Sequence, residues 1–337
     1  FSDALGGGLL TILLFISSLT MFMSGMVANF EFDLKKIIAL STLSQLGLMM
    51  SVLALGDEVL AFFHLLMHAL FKALLFMCAG SVIHGMGDCQ DIRSMGSLVE
   101  VMPLTSCFFN ICNLALCGLP FLSGFYSKDL ILEFMSMGYF NFYIYIIFYV
   151  STGLTAVYSI RLLFYTMISD FSGVSFNSVG DFSSEMLKGM GGLIFLVIFM
   201  GGSVSWMIFP VPYFICIPLL MKLMVLLVVL LGGFLGYILF DIKILDDSQV
   251  LKYSSLTDFL GVMWNLNYLS TLGFNYYFLN YGGKLSDCMD QGWLEYLGSQ
   301  NLFKNTITGS VSLEKIFNQN IKIFLTLILI WGCLLMF

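Results

Sequence analysis

Eight apolar runs near bilayer-crossing length constrain this chain more than any other feature. They cover about residues 7–29, 35–55, 60–84, 101–136, 140–168, 188–209, 217–240 and 319–337. Hydrocarbon offers no water to backbone amides, so runs of ~20 apolar residues become internally bonded helices. The sequence therefore predicts an all-α integral membrane protein, a polytopic helix bundle with about eight transmembrane helices. Composition agrees: only 10% of residues are charged and 59% are hydrophobic, whereas a soluble domain carries ~25% charged residues.

The fourth run is too long for one simple span and holds Gly118, Pro120 and Gly124 in its middle. Proline removes a helix hydrogen bond and clashes with the turn before it. This predicts one discontinuous helix, with halves of about 101–117 and 121–136 joined near the bilayer centre. Orientation follows from the basic residues. With Lys72 and Lys128 set aside as intramembrane, alternating helices put Lys35, Lys36, Arg93, Arg161, Lys188, Lys243, Lys252, Lys284, Lys304, Lys315 and Lys322 on one side. Lys222 alone falls opposite. The basic side is the inner side, matrix or cytoplasm.

Between the last two runs lie residues 241–318, which mix charges with Trp264, Tyr268, Tyr276, Tyr277, Trp293 and Tyr296. That blend suits a long lateral helix at the membrane interface. The pair Gly282-Gly283 predicts one break in it. The net charge of −7 argues against a nucleic-acid partner. The eight cysteines are scattered, with no CxxC pair, and most behave as small hydrophobes. No signal-peptide pattern precedes the first run. The start at Phe1, without an initiator Met, is expected to reflect a missing N-terminal part.

Ionisable groups inside a span are expensive and default to function. The third run, AFFHLLMHALFKALLFMCAGSVIH, carries His64, His68 and Lys72 at steps of four. On a helix each step turns about 40° and rises about 6 Å, so all three share one face over about 12 Å. Histidine titrates near neutral pH and a buried lysine is pushed toward it, so such a row suits stepwise proton transfer. A buried polar helix interface fits the same pattern. Metal binding by His-x3-His lacks HExxH and a nearby acidic or cysteine ligand set. In GLPFLSGFYSKDLILE, Lys128 and Asp129 follow the break within two turns. Breaks at membrane depth line wet cavities or pack inside protein; the alternative is a packing kink with Lys128 snorkelling outward. The second run adds Ser41, Thr42, Ser44 and Gln45. Thr42 and Ser44 are candidate water-path residues, although such hydroxyls also bond their own helix carbonyls.

Four runs, DLKKIIALSTLSQLGLMM, FHLLMHALFKALLFMCAGSVIH, QDIRSMG and LCGLPFLSGFYSKD, occur in one order and spacing. Together they resemble the subunit 5 family of respiratory complex I, the proton-pumping NADH:ubiquinone oxidoreductase, in its animal mitochondrial form. The resemblance spans essentially the whole chain and falls on the family's C-terminal portion. It implies a second antiporter-like five-helix repeat at 1–169, two further transmembrane helices at 170–240, a lateral helix at 241–318 and a C-terminal anchor at 319–337. It implies a proton relay of His64, His68, Lys72, Lys128 and Asp129, with Lys128 at the outward end. It implies FMN, iron–sulfur clusters and ubiquinone on partner subunits, with no cofactor or metal on this chain. The chain has no Rossmann glycine fingerprint and no four-cysteine cluster spacing. Implied partners are other complex I subunits, especially neighbouring antiporter-like ones along the lateral helix, and lipid. The implied location is the mitochondrial inner membrane, as a multi-pass protein. The nearest alternative is an Mrp-type cation/proton antiporter subunit.

Overall fold

The computed structural model describes residues 4–138, 142–173, 179–181, 183–241 and 254–336. Phe1, Phe337, Lys243, Lys252 and the first part of the 241–318 segment lie outside the described residues. The described elements are helical, and a single antiparallel bridge joins Asp33 to Asp91. The chain forms two compact units, residues 1–264 and residues 265–337.

In the first unit, α1 (Gly7–Phe30), α2 (Leu34–Ala54) and α3 (Glu58–Gly85) are followed by a single turn, α4 (Leu98–Val101). Next come α5 (Pro103–Cys117), α6 (Leu130–Met137), α7 (Phe142–Leu163), α8 (Ser184–Ile208), α9 (Leu219–Asp241) and α10 (Ser254–Gly261). Among the described residues six helices are long and apolar enough to span a membrane: α1, α2, α3, α7 with its following turn, α8 and α9. Two of the eight expected spans fall short of that test. One is the broken pair α5–α6, and the other is the 16-residue helix at the C-terminus.

Burial ranks the helices. In α2, 67% of the apolar window is buried, against 17% in α8 and in α9. The remaining apolar faces of α8 and α9 are those a lipid solvent accepts without cost. Helix α3 packs against α2, α5 and α8 and is the centre of the unit. Asp57 starts it by accepting from the Leu60 amide at 3.3 Å, which satisfies one unpaired donor of the first turn. The same carboxylate accepts from the Tyr213 hydroxyl at 3.1 Å, tying the loop after α8 to the head of α3. Partial burial and the Asp57 carboxylate push the Tyr213 phenol up to about 12, so it remains a donor at neutral pH.

The opposite end of the bundle is held by the QDIRSMG stretch. The Leu34 amide donates to the Gln90 carbonyl at 2.9 Å, and the Ile92 amide donates to the Phe32 carbonyl at 3.0 Å. Arg93 donates to both oxygens of Asp91, and these hydrogen bonds to the carboxylate hold the Arg93 guanidinium above its ordinary value. Arg161, buried on α7, donates to the carbonyls of Asn29 at 2.5 Å and Glu31 at 2.9 Å. These belong to the C-terminal end of α1, where unpaired carbonyls favour a cation. The Phe32 ring lies between the guanidinium carbons of Arg93 (4.3 Å) and Arg161 (4.8 Å).

The second unit is a helix running from Tyr268 to Asn318, which contains α11 (Phe274–Leu285) and α12 (Asn301–Gln319) with π-helical turns between them. At ~1.5 Å per residue it is about 75 Å long. The expected break at Gly282-Gly283 is absent, since both glycines sit inside α11. Two glycines cost about 2 kcal/mol of helix propensity, too little to interrupt a long cooperative helix. The chain turns at Asn320, in extended conformation, and α13 (Ile321–Met336) departs at 112°. Tyr276, Tyr277, Phe278, Tyr281, Trp293 and Tyr296 are exposed.

Candidate functional site

The site is built where α3 meets the broken helix. Helix α5 stops at Cys117 because Gly118 takes a left-handed φ of +82°, a conformation available to glycine without penalty. The Gly118 amide donates to the Ala115 carbonyl at 3.1 Å and the Leu119 amide donates to the Leu114 carbonyl at 3.2 Å. This is the reverse-turn closure common after helix ends. Pro120 and Phe121 (φ +72°) complete the crossing, and the helix resumes through a π-helical turn, Phe125–Asp129, into α6. The restart passes so close to α5 that a Cβ on Gly124 would lie 1.8 Å from the Ala115 carbonyl oxygen.

Lys128 sits on that π turn and is 3% exposed. Its ammonium donates to the Leu116 carbonyl at 3.3 Å and to Thr155 Oγ1 at 2.8 Å. The lysine therefore points into the protein and caps the end of α5, which excludes the snorkelling alternative. Its stem lies along Gly118, 3.7 Å from the position of a Cβ there. Asp129 is half-buried and faces a different set, with Glu133, Lys222 and Lys128 in electrostatic range. Lys222, the one basic residue expected on the outer side, stands 4.0 Å from Glu133.

His64, His68 and Lys72 do share a face of α3, and all are buried. Each meets a different neighbour. Lys72 donates to Ser41 on α2. His64 Nε2 lies 3.2 Å from Gln45 Oε1, also on α2, and His64 Nδ1 lies 2.9 Å from Ser127 Oγ. The His68 ring is 6.3 Å from that of His64 and edge-on to Phe71 at 5.4 Å. Its Nε2 has no hydrogen-bond partner among the described residues.

The polar residues of α2 separate by face. Ser44 is buried and its hydroxyl donates to the Ser41 carbonyl at 2.9 Å. Thr42 is set apart, with its hydroxyl bonded to the Ala39 carbonyl at 2.6 Å in an exposed setting, so the structure does not bring it to the α3 face. The residues that do reach it are Ser41 and Gln45, one helical turn apart. Four residues outside the expected relay hold its members: Ser41, Gln45, Ser127 and Thr155. Their polarity inside apolar runs was the available signal, and the spacing that would pair them with α3 or Lys128 was not. Among the described residues no three of His, Cys, Asp and Glu converge as a metal would require.

The arrangement is a buried row of proton acceptors and donors, bounded by a helix break. Its members are titratable groups held in the protein interior, the kind of placement that is costly without a role.

A family model described as NADH dehydrogenase subunit 5 C-terminus matches residues 158–337. A second, described as NADH:quinone oxidoreductase/Mrp antiporter, transmembrane, matches residues 4–155. The chain is 50% identical over 319 residues to NADH-ubiquinone oxidoreductase chain 5 of Locusta migratoria, covering 95% of this chain and 56% of that one. It is 49% identical over 324 residues to the same-named chain of Anopheles gambiae, covering 96% and 56%. The chain thus spans a little over half the length of the curated relatives it matches. Among solved structures, a chain of the Mrp complex from Dietzia superposes with a TM-score of 0.63 at 20% identity, over 91% of this chain and 34% of that chain. This is a likeness of fold.

Proposed function

This chain belongs to the NADH dehydrogenase subunit 5 family, and from that premise we propose that it is a proton-translocating, antiporter-like subunit of respiratory complex I. In this reading it resides in the mitochondrial inner membrane and couples NADH-to-ubiquinone electron transfer on partner subunits to proton pumping. FMN, the iron–sulfur clusters and the quinone site belong to those partners. The observation that carries the proposal is the buried row of Lys72, His64 and Lys128, each hydrogen-bonded to a neutral side chain rather than paired with a carboxylate. A neutral partner leaves a lysine free to lose its proton, whereas a buried ion pair holds it.

Residues 1–169 act as the second five-helix repeat and half-channel, with 170–240 as two further spans. Protons enter from the inner side, load Lys72, pass by the two histidines and reach Lys128 beside the break. Moving one proton against the membrane potential costs about 2.3 kcal/mol per 100 mV. One pKa unit is worth about 1.4 kcal/mol, so a swing of a few units in a lysine's affinity matches the work required. The second antiporter family model and the Mrp-like fold support one alternative, cation/proton exchange without redox partners. The assembled complex in sealed vesicles separates them. NADH with a quinone is expected to drive proton uptake into the lumen, blocked by inhibiting quinone reduction. Sodium-driven proton flux at the same rate without NADH would favour the exchanger.

The 241–318 segment, in this proposal, is a lateral clasp along neighbouring antiporter-like subunits, with 319–337 as its anchor. An exposed aromatic surface tens of ångströms long supports that reading, since such patches mark partner or membrane contact. Cys288 is exposed midway along the helix. A thiol-directed cross-linker there is expected to join this subunit to an antiporter-like neighbour in the assembled complex. Cross-links to lipid alone would remove the clasp.

A further inference from the structure

Most serine hydroxyls inside these spans follow one habit. Ser41, Ser51, Ser151 and Ser159 each donate to the carbonyl three residues earlier, at 2.7–2.9 Å. This is the local back-bonding that satisfies a hydroxyl within its own helix. Ser127 departs from it. Its own-helix carbonyl, that of Gly124, is 3.4 Å away, and its nearest partner is His64 Nδ1 at 2.9 Å. The π-helical turn that carries it alters the local register and frees the hydroxyl to choose.

The choice is dictated by the ring. Gln45 presents its carbonyl oxygen to His64 Nε2, and an oxygen only accepts. The proton of a neutral His64 ring therefore resides on Nε2, and Nδ1 carries a lone pair. Ser127 must then donate its single hydrogen to Nδ1. When the ring takes a second proton, Nδ1 becomes a donor. Ser127 must now accept, and its hydrogen turns to the Gly124 carbonyl, 3.4 Å away. No covalent bond changes in Ser127; one hydrogen bond reverses and another forms.

We propose that Ser127, one residue before Lys128, is a positioning residue for His64, and that its hydroxyl reports the proton count of the ring to the helix restart at Gly124. This rests on the relay reading above. The titratable groups facing His64 are His68 from α3 and Lys128 from the restarted helix; Gln45 from α2 and Ser127 itself are neutral. The hydroxyl thus joins the α3 row to the π turn that carries Lys128, a link that the spacing on α3 alone does not supply.

The test uses the assembled complex in vesicles, normalised to subunit content on native gels. Ser127→Ala is expected to slow NADH-driven pumping about tenfold, the order expected when a hydrogen bond to a charged group is lost. Ser127→Thr keeps the hydroxyl and adds a methyl, and is expected to stay within about threefold of the parent. A packing role predicts the reverse order, with alanine tolerated and threonine harmful. A second measurement holds even where the threonine variant assembles poorly. His64→Leu combined with Ser127→Ala should pump no more slowly than His64→Leu alone, because both act through one ring. Losses that multiply, or alanine pumping at the parental rate, would overturn the role of Ser127. If Lys128→Ala is defective while Ser127→Ala is not, the relay stands and this link falls. If Lys128→Ala pumps normally, the relay itself has failed.

Discussion

Lys128→Ala is expected to reduce NADH-driven proton translocation at least about tenfold and to lower coupled quinone reduction with it, while the subunit still assembles. The argument rests on donor counting. Lys128 meets two acceptors, the Leu116 carbonyl and Thr155 Oγ1. Thr155 spends its own hydrogen on the Thr152 carbonyl at 2.7 Å, so it is an acceptor toward Lys128. A neutral amine has two N–H donors and satisfies both partners; an ammonium has a third. Among the described residues that third hydrogen has no assigned acceptor, which makes it the one available to move. Lys128→Arg sharpens the test. Arginine keeps charge and donors but does not give up its proton. If the amine is part of the relay, arginine fails as alanine does; if Lys128 only caps α5, arginine is tolerated. Pumping in reconstituted vesicles, beside native gels for assembly, gives both answers.

The second large effect is on stability. Gly124→Ala is expected to cost the fold more than about 3 kcal/mol and to deplete the subunit from the assembled membrane arm. A Cβ there would lie 1.8 Å from the Ala115 carbonyl oxygen and 2.8 Å from its carbon. Both are backbone atoms of α5, which a rotamer change does not move, so the two halves of the broken helix must separate. Gly282→Ala is the matched control. Nothing lies within 4 Å of its Cβ position and its backbone is helical, so the change is expected to be neutral or to stabilise by up to about 1 kcal/mol. Native-gel band intensity and thermal release of the subunit compare the pair. An abundant, heat-stable Gly124→Ala complex would show that the halves do not pack as described.

The broken helix was legible because its cause is local. Gly118, Pro120 and Gly124 are within seven positions of one another, and the chain breaks there by backbone rules alone. The shared face of His64, His68 and Lys72 was legible for the same reason, since helical periodicity needs no tertiary information. Gln45 and Ser127 were not, because their partner His64 is 19 and 63 residues away. Only packing of α3 against α2 and the restarted helix creates those contacts. Thr42 and Ser44 looked alike in sequence, and a rotation of two positions on α2 sends one outward and the other into the core. The Gly282-Gly283 pair misled because a weak local preference was read without the helical residues flanking it. The expected division at 169 and 240 came from the family resemblance, whereas packing divides the chain into compact units after residue 264.

Arg161 has a consequence for biosynthesis. The carbonyls that it satisfies at the end of α1 lie 132 and 130 residues earlier in the chain. Translation at ~5–20 residues per second separates those events by roughly ten seconds. Through that interval the end of α1 lacks the guanidinium that satisfies its carbonyls, while α2 to α6 emerge. Its completion waits for α7. The end of α1 therefore keeps two unsatisfied carbonyls until α7 is made, so closure of this end of the bundle depends on a part of the chain synthesised much later.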